Sequence, residues 1–280
     1  MTKLALGDFN SMSTTTRQRI SIVSGARSGM GKATVDLLRA RGERVLGVDL
    51  TGSDISADLA TPAGRQAAIA AVSAACPQGI DALILCAGLG GGMAPGEAVV
   101  SVNYFGAVEI AAGLRPLLAM GDSPRVVAIS SSASLLGYDA AIVAACLGND
   151  EPGARELARA KSPNDTALRA GPIYAASKRA LTRWIRRTSV QPEWAGAGIL
   201  LNGISPGLVQ TPMTIPMLGT EEGRAILAKV TPRAVREAAV ADDIAQLAAF
   251  LASAQNRYLV GQVPLCDGGT DVLLRGDDVF

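Results

Sequence analysis

Ile20-Ser21-Ile22-Val23-Ser24-Gly25-Ala26-Arg27-Ser28-Gly29-Met30-Gly31 is the stretch that decides the fold of this chain. A short β-rich run ends at Gly25. A helical pattern follows from about Gly29 to Arg41, with Val35, Leu37 and Leu38 on its inner side. Gly42 stops that helix, and Arg44 to Asp49 reads as a second strand. The expectation is a strand–helix–strand unit whose strands are apolar throughout, because parallel strands are covered on both faces. Gly25 can take a backbone conformation closed to other residues, and Gly29 and Gly31 let the backbone approach a ligand closely. Free amides at the helix start would face a pyrophosphate. The spacing Gly-x-x-x-Gly-x-Gly differs from the Gly-x-Gly-x-x-Gly of other dinucleotide folds. A glycine-rich turn without a ligand carries the same letters, so the turn needs partners elsewhere in the chain.

The alternation continues outward. Thr61 to Ala75 reads as a helix with a Thr-Pro start, and Asp81 to Leu85 as a strand running into Cys86-Ala87-Gly88. A helical stretch spans about Val102 to Met120, kinked or ended early by Pro116; Arg125 to Ser130 is the next strand. Ile173 to Ser189 is helical, Ile199 to Ile204 a strand followed by Pro206-Gly207, and Ala241 to Ala252 a helix whose first aspartates suit its dipole. Gln262 to Leu265 reads as a final strand before Asp267-Gly268-Gly269. Repeated units of this kind imply an α/β fold, a doubly wound parallel sheet with helices on both faces, Rossmann-type. A flexible tail is expected over 1–19 and one dinucleotide-binding and catalytic domain over 20–280. Two stretches interrupt the rhythm. An insert at about 135–171 holds helical pieces at Ala140–Leu147 and Glu151–Ala160, and Thr211 to Arg236 reads as a mobile segment with short helices. Both follow strand ends, where open α/β sheets place their ligands.

A chain of 280 residues can bury a full core. With 26 Lys and Arg against 25 Asp and Glu, the net charge of +1 offers no field for nucleic acid or an anionic membrane. The start lacks the apolar core of ~7–15 residues that a secretory signal needs. No run is read as approaching the ~18 apolar residues of a membrane span. A cytoplasmic protein with a small-molecule partner is expected. Cys76, Cys86, Cys146 and Cys266 are widely spaced and read as buried thiols of a reducing compartment. Histidine is absent. That excludes Ser-His-Asp and Cys-His nucleophilic chemistry and His-ligated metals, and no metal site is expected.

Tyr174 and Lys178, in Tyr174-Ala175-Ala176-Ser177-Lys178, share one helix face. An ammonium there favours the phenolate and is expected to lower the tyrosine pKa. A phenol so tuned can exchange a proton with an alcohol or carbonyl oxygen. Asp49 ends the second strand where a carboxylate can accept both hydroxyls of an adenosine ribose and repel a 2′-phosphate. NAD(H) is therefore expected ahead of NADP(H), although Arg27 in the turn could tolerate a phosphate. Asp58-Leu59 offers a second acidic position that could accept from an adenine amino group, or is a plain solvated Asp.

Six motifs occur in the order and rough spacing of the short-chain dehydrogenase/reductase family, which the chain resembles from about Ile20 to Asp271. They are Gly25-x-x-x-Gly29-x-Gly31, Cys86-Ala87-Gly88, Asn103, Ser131, Tyr174-x-x-x-Lys178 and Pro206-Gly207. Leu85 to Gly90, Val100 to Gly106 and the long insert before Tyr174 are similar to the bacterial 3α-hydroxysteroid dehydrogenase/carbonyl reductase branch. The resemblance implies that Tyr174 is the general acid/base and that Lys178 lowers its pKa and binds the nicotinamide ribose. It implies that Ser131 bonds the substrate oxygen, with Ser130, Ser132 and Ser134 as neighbouring alternatives, and that Asn103 holds a water linking Lys178 to solvent. It places the cofactor on Gly25, Arg27, Ser28, Gly29, Met30, Gly31, Asp49, Asp58, Leu59, Cys86, Ala87, Gly88, Tyr174, Lys178, Pro206, Gly207, Val209 and Thr211. Many relatives carry Asn-Ala-Gly where this chain has Cys86-Ala87-Gly88, and lost amide bonds there could loosen the central strand.

The implied function is NAD(H)-dependent interconversion of a hydrophobic secondary alcohol and its ketone, of the 3α-hydroxysteroid dehydrogenase/carbonyl reductase type. Alternatives are a dehydrogenase of another hydrophobic or aromatic alcohol, such as coniferyl alcohol, or a non-catalytic dinucleotide-binding regulator. The pocket is expected near Ser132 to Tyr138, the insert, and Met213 to Leu218. The insert should block a tetramer interface beside the Tyr174 helix. A homodimer through the last helix and strand is favoured, with a tetramer or a plain surface loop as the alternatives.

Overall fold

The apolar runs form a parallel sheet because each is sheathed on both sides. The computed structural model of the chain describes residues 17–91, 94–161 and 167–279, so most of the tail expected over 1–19 lies outside the described residues. The sheet strands are β1 (Ile20–Ser24), β2 (Arg44–Asp49), β3 (Ile55–Ser56), β4 (Ala82–Leu85), β5 (Arg125–Ile129) and β6 (Leu200–Pro206). A small pair follows, β7 (Val209–Gln210) with β8 (Ala239–Val240), and then β9 (Leu265–Cys266) returns to the large sheet. The sheet order is β3-β2-β1-β4-β5-β6-β9, every pair parallel. β1 pairs with β2 on one side and β4 on the other, so the winding reverses there and a crevice opens beyond their carboxyl ends.

Alternate strand residues face opposite sides. Ile22, Leu83, Leu85, Val126, Ala128 and Leu201 share a core with α2 (Pro62–Ala75), α4 (Ala107–Leu118) and α7 (Ala167–Thr188). Val23, Ala82, Ile84, Val127, Ile129 and Ile204 pack against α1 (Gly29–Ala40) and α10 (Ala241–Leu251). Each Val, Leu or Ile among them contributes about 1.5–3 kcal/mol on burial.

Several boundaries differ from the sequence reading. The helix expected over Val102 to Met120 begins earlier, as α3 (Gly96–Val100), continues through a π-helical turn (Ser101–Gly106) and ends with α4 at Leu118. Pro95 caps it and Glu97 suits its positive end, so the glycine at 96 does not prevent the start. Gly96–Leu118 spans 23 residues with a window of mean hydropathy 1.2, which corrects the expectation that no run approaches a membrane span. That window is 61% buried within the protein, as a core helix should be. α7 begins at Ala167 rather than Ile173, because Pro172 removes one backbone bond without ending the helix. The last strand is Leu265–Cys266 rather than Gln262 to Leu265. Pro264 has no N–H to offer a ladder, though Gln262 and Pro264 still accept from Gly203 and Ser205 at 2.8 and 2.9 Å.

Arg17 and Arg19, expected in the loose tail, are tied down. Arg17 pairs with Asp81. Arg19 donates to the carbonyls of Asp81, Asp122, Ser123 and Ala252 at 2.7–3.1 Å. The insert holds α5 (Ala140–Leu147) and α6 (Glu151–Lys161), as its helical pieces predict. Ile142, Val143, Cys146, Ala154 and Ala158 from these helices are part of the main core. The segment beyond β7 holds α8 (Ile215–Leu218) and α9 (Glu221–Val230) and is clasped at its base by β8. The chain then ends its ordered elements with α11 (Thr270–Arg275).

Candidate active site

The glycine turn is shaped by close contacts. Gly25 has φ of +70°, and a Cβ there would lie 2.7 Å from the Ala87 nitrogen. A Cβ on Gly31 would collide with the Gly25 carbonyl. Ser28 precedes α1 without a side-chain cap, so the first amides of the helix stay available to an anion. These residues border a cleft of about 360 Å³ together with Asp49, Asp58, Leu59, Cys86, Ala87, Gly88 and Thr211. A helix start with room that no Cβ intrudes upon, and a carboxylate at the far rim, fits a dinucleotide.

Asp49 sits on the rim and accepts from the Arg27 and Leu50 amides at 3.0 and 2.7 Å. The Arg27 side chain leaves the cleft instead. Its guanidinium donates to Thr51 at 3.2 Å and lines a separate cleft with Lys32, Arg39 and Asp54. Asp58 is exposed on the wall, with one oxygen holding the Ala60 amide at 2.9 Å. Pro206, Gly207 and Val209 do not reach the wall. A Cβ on Gly207 would meet the Asp267 backbone at 2.7 Å, and Val209 is buried against the α1 side of the sheet. Leu50, Ala57, Ala60, Leu89 and Val102 also line the cleft and escaped the sequence reading, while Met213, expected at the pocket, lines it with Pro212. Most adjoin residues that were singled out, but apolar wall residues have no letter pattern of their own.

Cys86 directly follows β4, its amide on the Ser24 carbonyl at 3.1 Å, and the Ala87 amide bonds the Ser24 hydroxyl at 3.2 Å. The serine hydroxyl thus helps hold the strand end that the missing asparagine was expected to loosen. Burial pushes the Cys86 thiol up to about 12, against the pull of the Lys178 charge and a Thr34 hydrogen bond.

Tyr174 and Lys178 stand beyond the Gly88 end of the cleft. A Cβ on Gly88 would be 3.3 Å from Asn103 Oδ1 and 3.5 Å from Lys178 Nζ. Ser131 caps the short 3-10 turn after β5, accepting from the Ala133 amide at 3.2 Å, and its hydroxyl is the group that pulls the Tyr174 phenol down. Its neighbours face elsewhere. Ser130 Oγ donates to the Lys178 carbonyl at 3.1 Å and pairs with Thr182 Oγ1 at 2.7 Å. Ser132 and Ser134 are buried. Tertiary packing therefore selects Ser131 from the four serines.

Asn103 lies in the π-helical turn, a local form that recurs at functional sites. Its Oδ1 accepts from the Leu89 amide at 2.8 Å, and its Nδ2 donates to the Leu89 carbonyl at 3.0 Å and to Ser177 Oγ at 3.1 Å. Ser177 Oγ donates in turn to the Tyr174 carbonyl at 2.7 Å. The asparagine side chain is a strut between the cleft and the catalytic helix.

Electrostatics correct one expectation. The Tyr174 phenol is held above its ordinary range, not below it. Burial dominates, and the Ser131 hydroxyl only partly counters it. Lys178 Nζ is buried and donates to the Ile129 carbonyl at 2.8 Å, 5.9 Å from the centre of the tyrosine ring. Burial lowers Lys178 to about 8, with the Cys86 thiol pulling the other way.

Two family models cover the chain: short chain dehydrogenase over residues 19–145 and Enoyl-(Acyl carrier protein) reductase over 153–271. The 3-alpha-hydroxysteroid dehydrogenase/carbonyl reductase of Comamonas testosteroni is 38% identical over 257 residues, 91% of this chain and 98% of that protein. Coniferyl-alcohol dehydrogenase of Pseudomonas sp. strain HR199 is 29% identical over 269 residues, 89% of this chain and 94% of that one. The crystal structure of 3-alpha-hydroxysteroid dehydrogenase from Pseudomonas sp. B-0831, complexed with NADH, matches with a TM-score of 0.85 and 34% identity over 93% of this chain and 100% of that one. With these matches and a Ser131–Tyr174–Lys178 group beside a glycine-lined cleft, the chain belongs to the short-chain dehydrogenase/reductase family.

Proposed function

We propose that the protein is an NAD(H)-dependent oxidoreductase that interconverts a hydrophobic secondary alcohol and its ketone, with activity of the 3α-hydroxysteroid dehydrogenase/carbonyl reductase type. The Lys178 ammonium, 5.9 Å from the centre of the Tyr174 ring and set against Gly88 at the end of the cleft, carries this reading. Bound NAD(H) supplies the hydride acceptor or donor. Ser131 and Tyr174 hold the substrate oxygen between two hydroxyls and so fix the reacting carbon. In oxidation Tyr174 Oη takes the alcohol proton, and in reduction it returns one. Lys178 steadies the phenolate, the form that oxidation starts from and reduction leaves, because a buried positive charge acts strongly at short range. Asn103, joined to Leu89 and to Ser177 by its side chain, is the residue that holds the water through which Lys178 exchanges protons. Asp49 on the rim, with Arg27 turned away, supports NAD(H) over NADP(H).

A hydrophobic substrate suits the surroundings. Pro212 and Met213 line the cleft, Ile215 just beyond them exposes 56% of its surface, and Tyr138, on the stretch that follows Ser131, exposes 41%. The likeness to a coniferyl-alcohol dehydrogenase keeps an aromatic alcohol as the second reading. A non-catalytic regulator would not need Tyr174 and Lys178 paired at the end of the cleft. The protein works in the cytoplasm as a homodimer through α10 and β9, with the insert packed beside α7 where a tetramer would otherwise form. An absorbance assay at the NADH band with steroid and aromatic alcohols tests the activity. Turnover of a 3α-hydroxysteroid is expected, and wild-type protein that binds NADH but turns over none of the panel sinks the reading.

A further inference from the structure

The insert is wired to the cofactor cleft through buried charge. Arg65 on α2 has a fully buried side chain. Its guanidinium donates to Glu109 on α4 at 2.7 and 3.1 Å, and to Glu151, the first residue of α6, at 3.2 Å and by a second, shorter bond. The same group donates to the Leu59 carbonyl at 3.2 Å. One turn further along α6, Arg155 donates to Ser101 Oγ at 2.7 Å and reaches the Ala60 carbonyl at 3.5 Å. Leu59 and Ala60 are cleft wall, and Ser101 opens the π-helical turn that carries Val102 of the wall and Asn103. That turn also presses on the wall, since a Cβ on Gly106 would lie 3.3 Å from the Leu59 carbonyl.

Stability alone does not account for such an arrangement, because apolar replacements of buried ion pairs are often as stable. Directional bonds from one helix to two parts of one wall fix geometry instead. We infer that Glu151, acting through Arg65, and Arg155 are positioning residues for the Leu59–Ala60 and Val102 wall, so that the insert sets the affinity for the adenosine half of the dinucleotide. This rests on the NAD(H) reading above.

Fluorescence titration of the full chain with NADH, alongside steady-state kinetics, tests the inference. E151Q and R155A should each raise the NADH Kd and KM about tenfold, the scale of one charged hydrogen bond. The kcat should change by less than about twofold, and R155K should recover part of the affinity. S101A should show part of the R155A effect, and the double variant should be no worse than R155A, since the Ser101 bond is lost in both and only R155A also loses the Ala60 contact. E156A, on the exposed face of α6 at 70% exposure, should match wild type. Should E151Q fail to fold, R155A and S101A decide the matter. Folded R155A and S101A proteins with lowered thermal stability but wild-type Kd for NADH overturn the inference and leave the cofactor reading standing. Wild-type protein that binds no NADH overturns both.

Discussion

Lys178 lies one helical turn beyond Tyr174, its ammonium 5.9 Å from the centre of the phenol ring, yet it donates its hydrogen bond to the Ile129 carbonyl at 2.8 Å. Burial pushes the two groups toward their neutral forms, the amine down to about 8 and the phenol up. The pair is poised for proton exchange without carrying full opposite charges.

Replacing Tyr174 with Phe removes the proton carrier but leaves the cleft wall intact. Turnover should fall by about 10²–10⁴-fold, the usual worth of general acid/base catalysis. NADH affinity, read by fluorescence titration, should stay within about threefold of wild type. Near-normal turnover in this variant removes Tyr174 from the mechanism.

Lys178 predicts a pH signature in stability. Its folded value of about 8 lies below its ordinary 10.5. Between those values the unfolded chain binds more protons than the folded one, so the cost of burying the ammonium is full below about pH 8 and relieved as pH rises toward 10.5. From about pH 7.5 to about pH 9.5, wild type should gain about 1–2 kcal/mol relative to K178M. Urea unfolding of both proteins in a C86A background isolates this term, because Cys146 and Tyr104 titrate alike in each and the thiol that feels the Lys178 charge is gone. Parallel curves contradict the depressed amine.

Asp49 should set the cofactor preference. D49N keeps an acceptor for the Arg27 amide but removes the charge that repels a 2′-phosphate. The ratio of NADH to NADPH affinity should fall on the order of tenfold or more. An unchanged ratio in paired titrations relieves Asp49 of this role.

Arg65 should be costly to remove by itself. R65M leaves Glu109 and Glu151 without the guanidinium between them. A loss of about 3 kcal/mol is expected on urea unfolding, the lower end for breaking a buried pair because Glu109 retains some solvent. Replacing both glutamates with apolar residues as well should recover most of it. A single variant as stable as wild type contradicts the buried network.

The local chain dictated the strand–turn–helix at Ile20–Gly31, the alternation of apolar strands with helices, and the helical pair of the insert, since periodicity and glycine placement act over a few residues. It also placed Tyr174 and Lys178 on one face, because helix geometry alone brings residues four apart together. Which serine faces the phenol was not written in Ser130-Ser131-Ser132-Ala133-Ser134. The strand end, the 3-10 turn and Thr182 on α7 decided it. The direction of the Tyr174 shift, the turning of Arg27 away from the cleft, and the union of Arg65 with Glu109 and Glu151 likewise arose only in the folded protein. Burial and contacts between residues far apart in the chain depend on what packs around a group, and no stretch of sequence contains that.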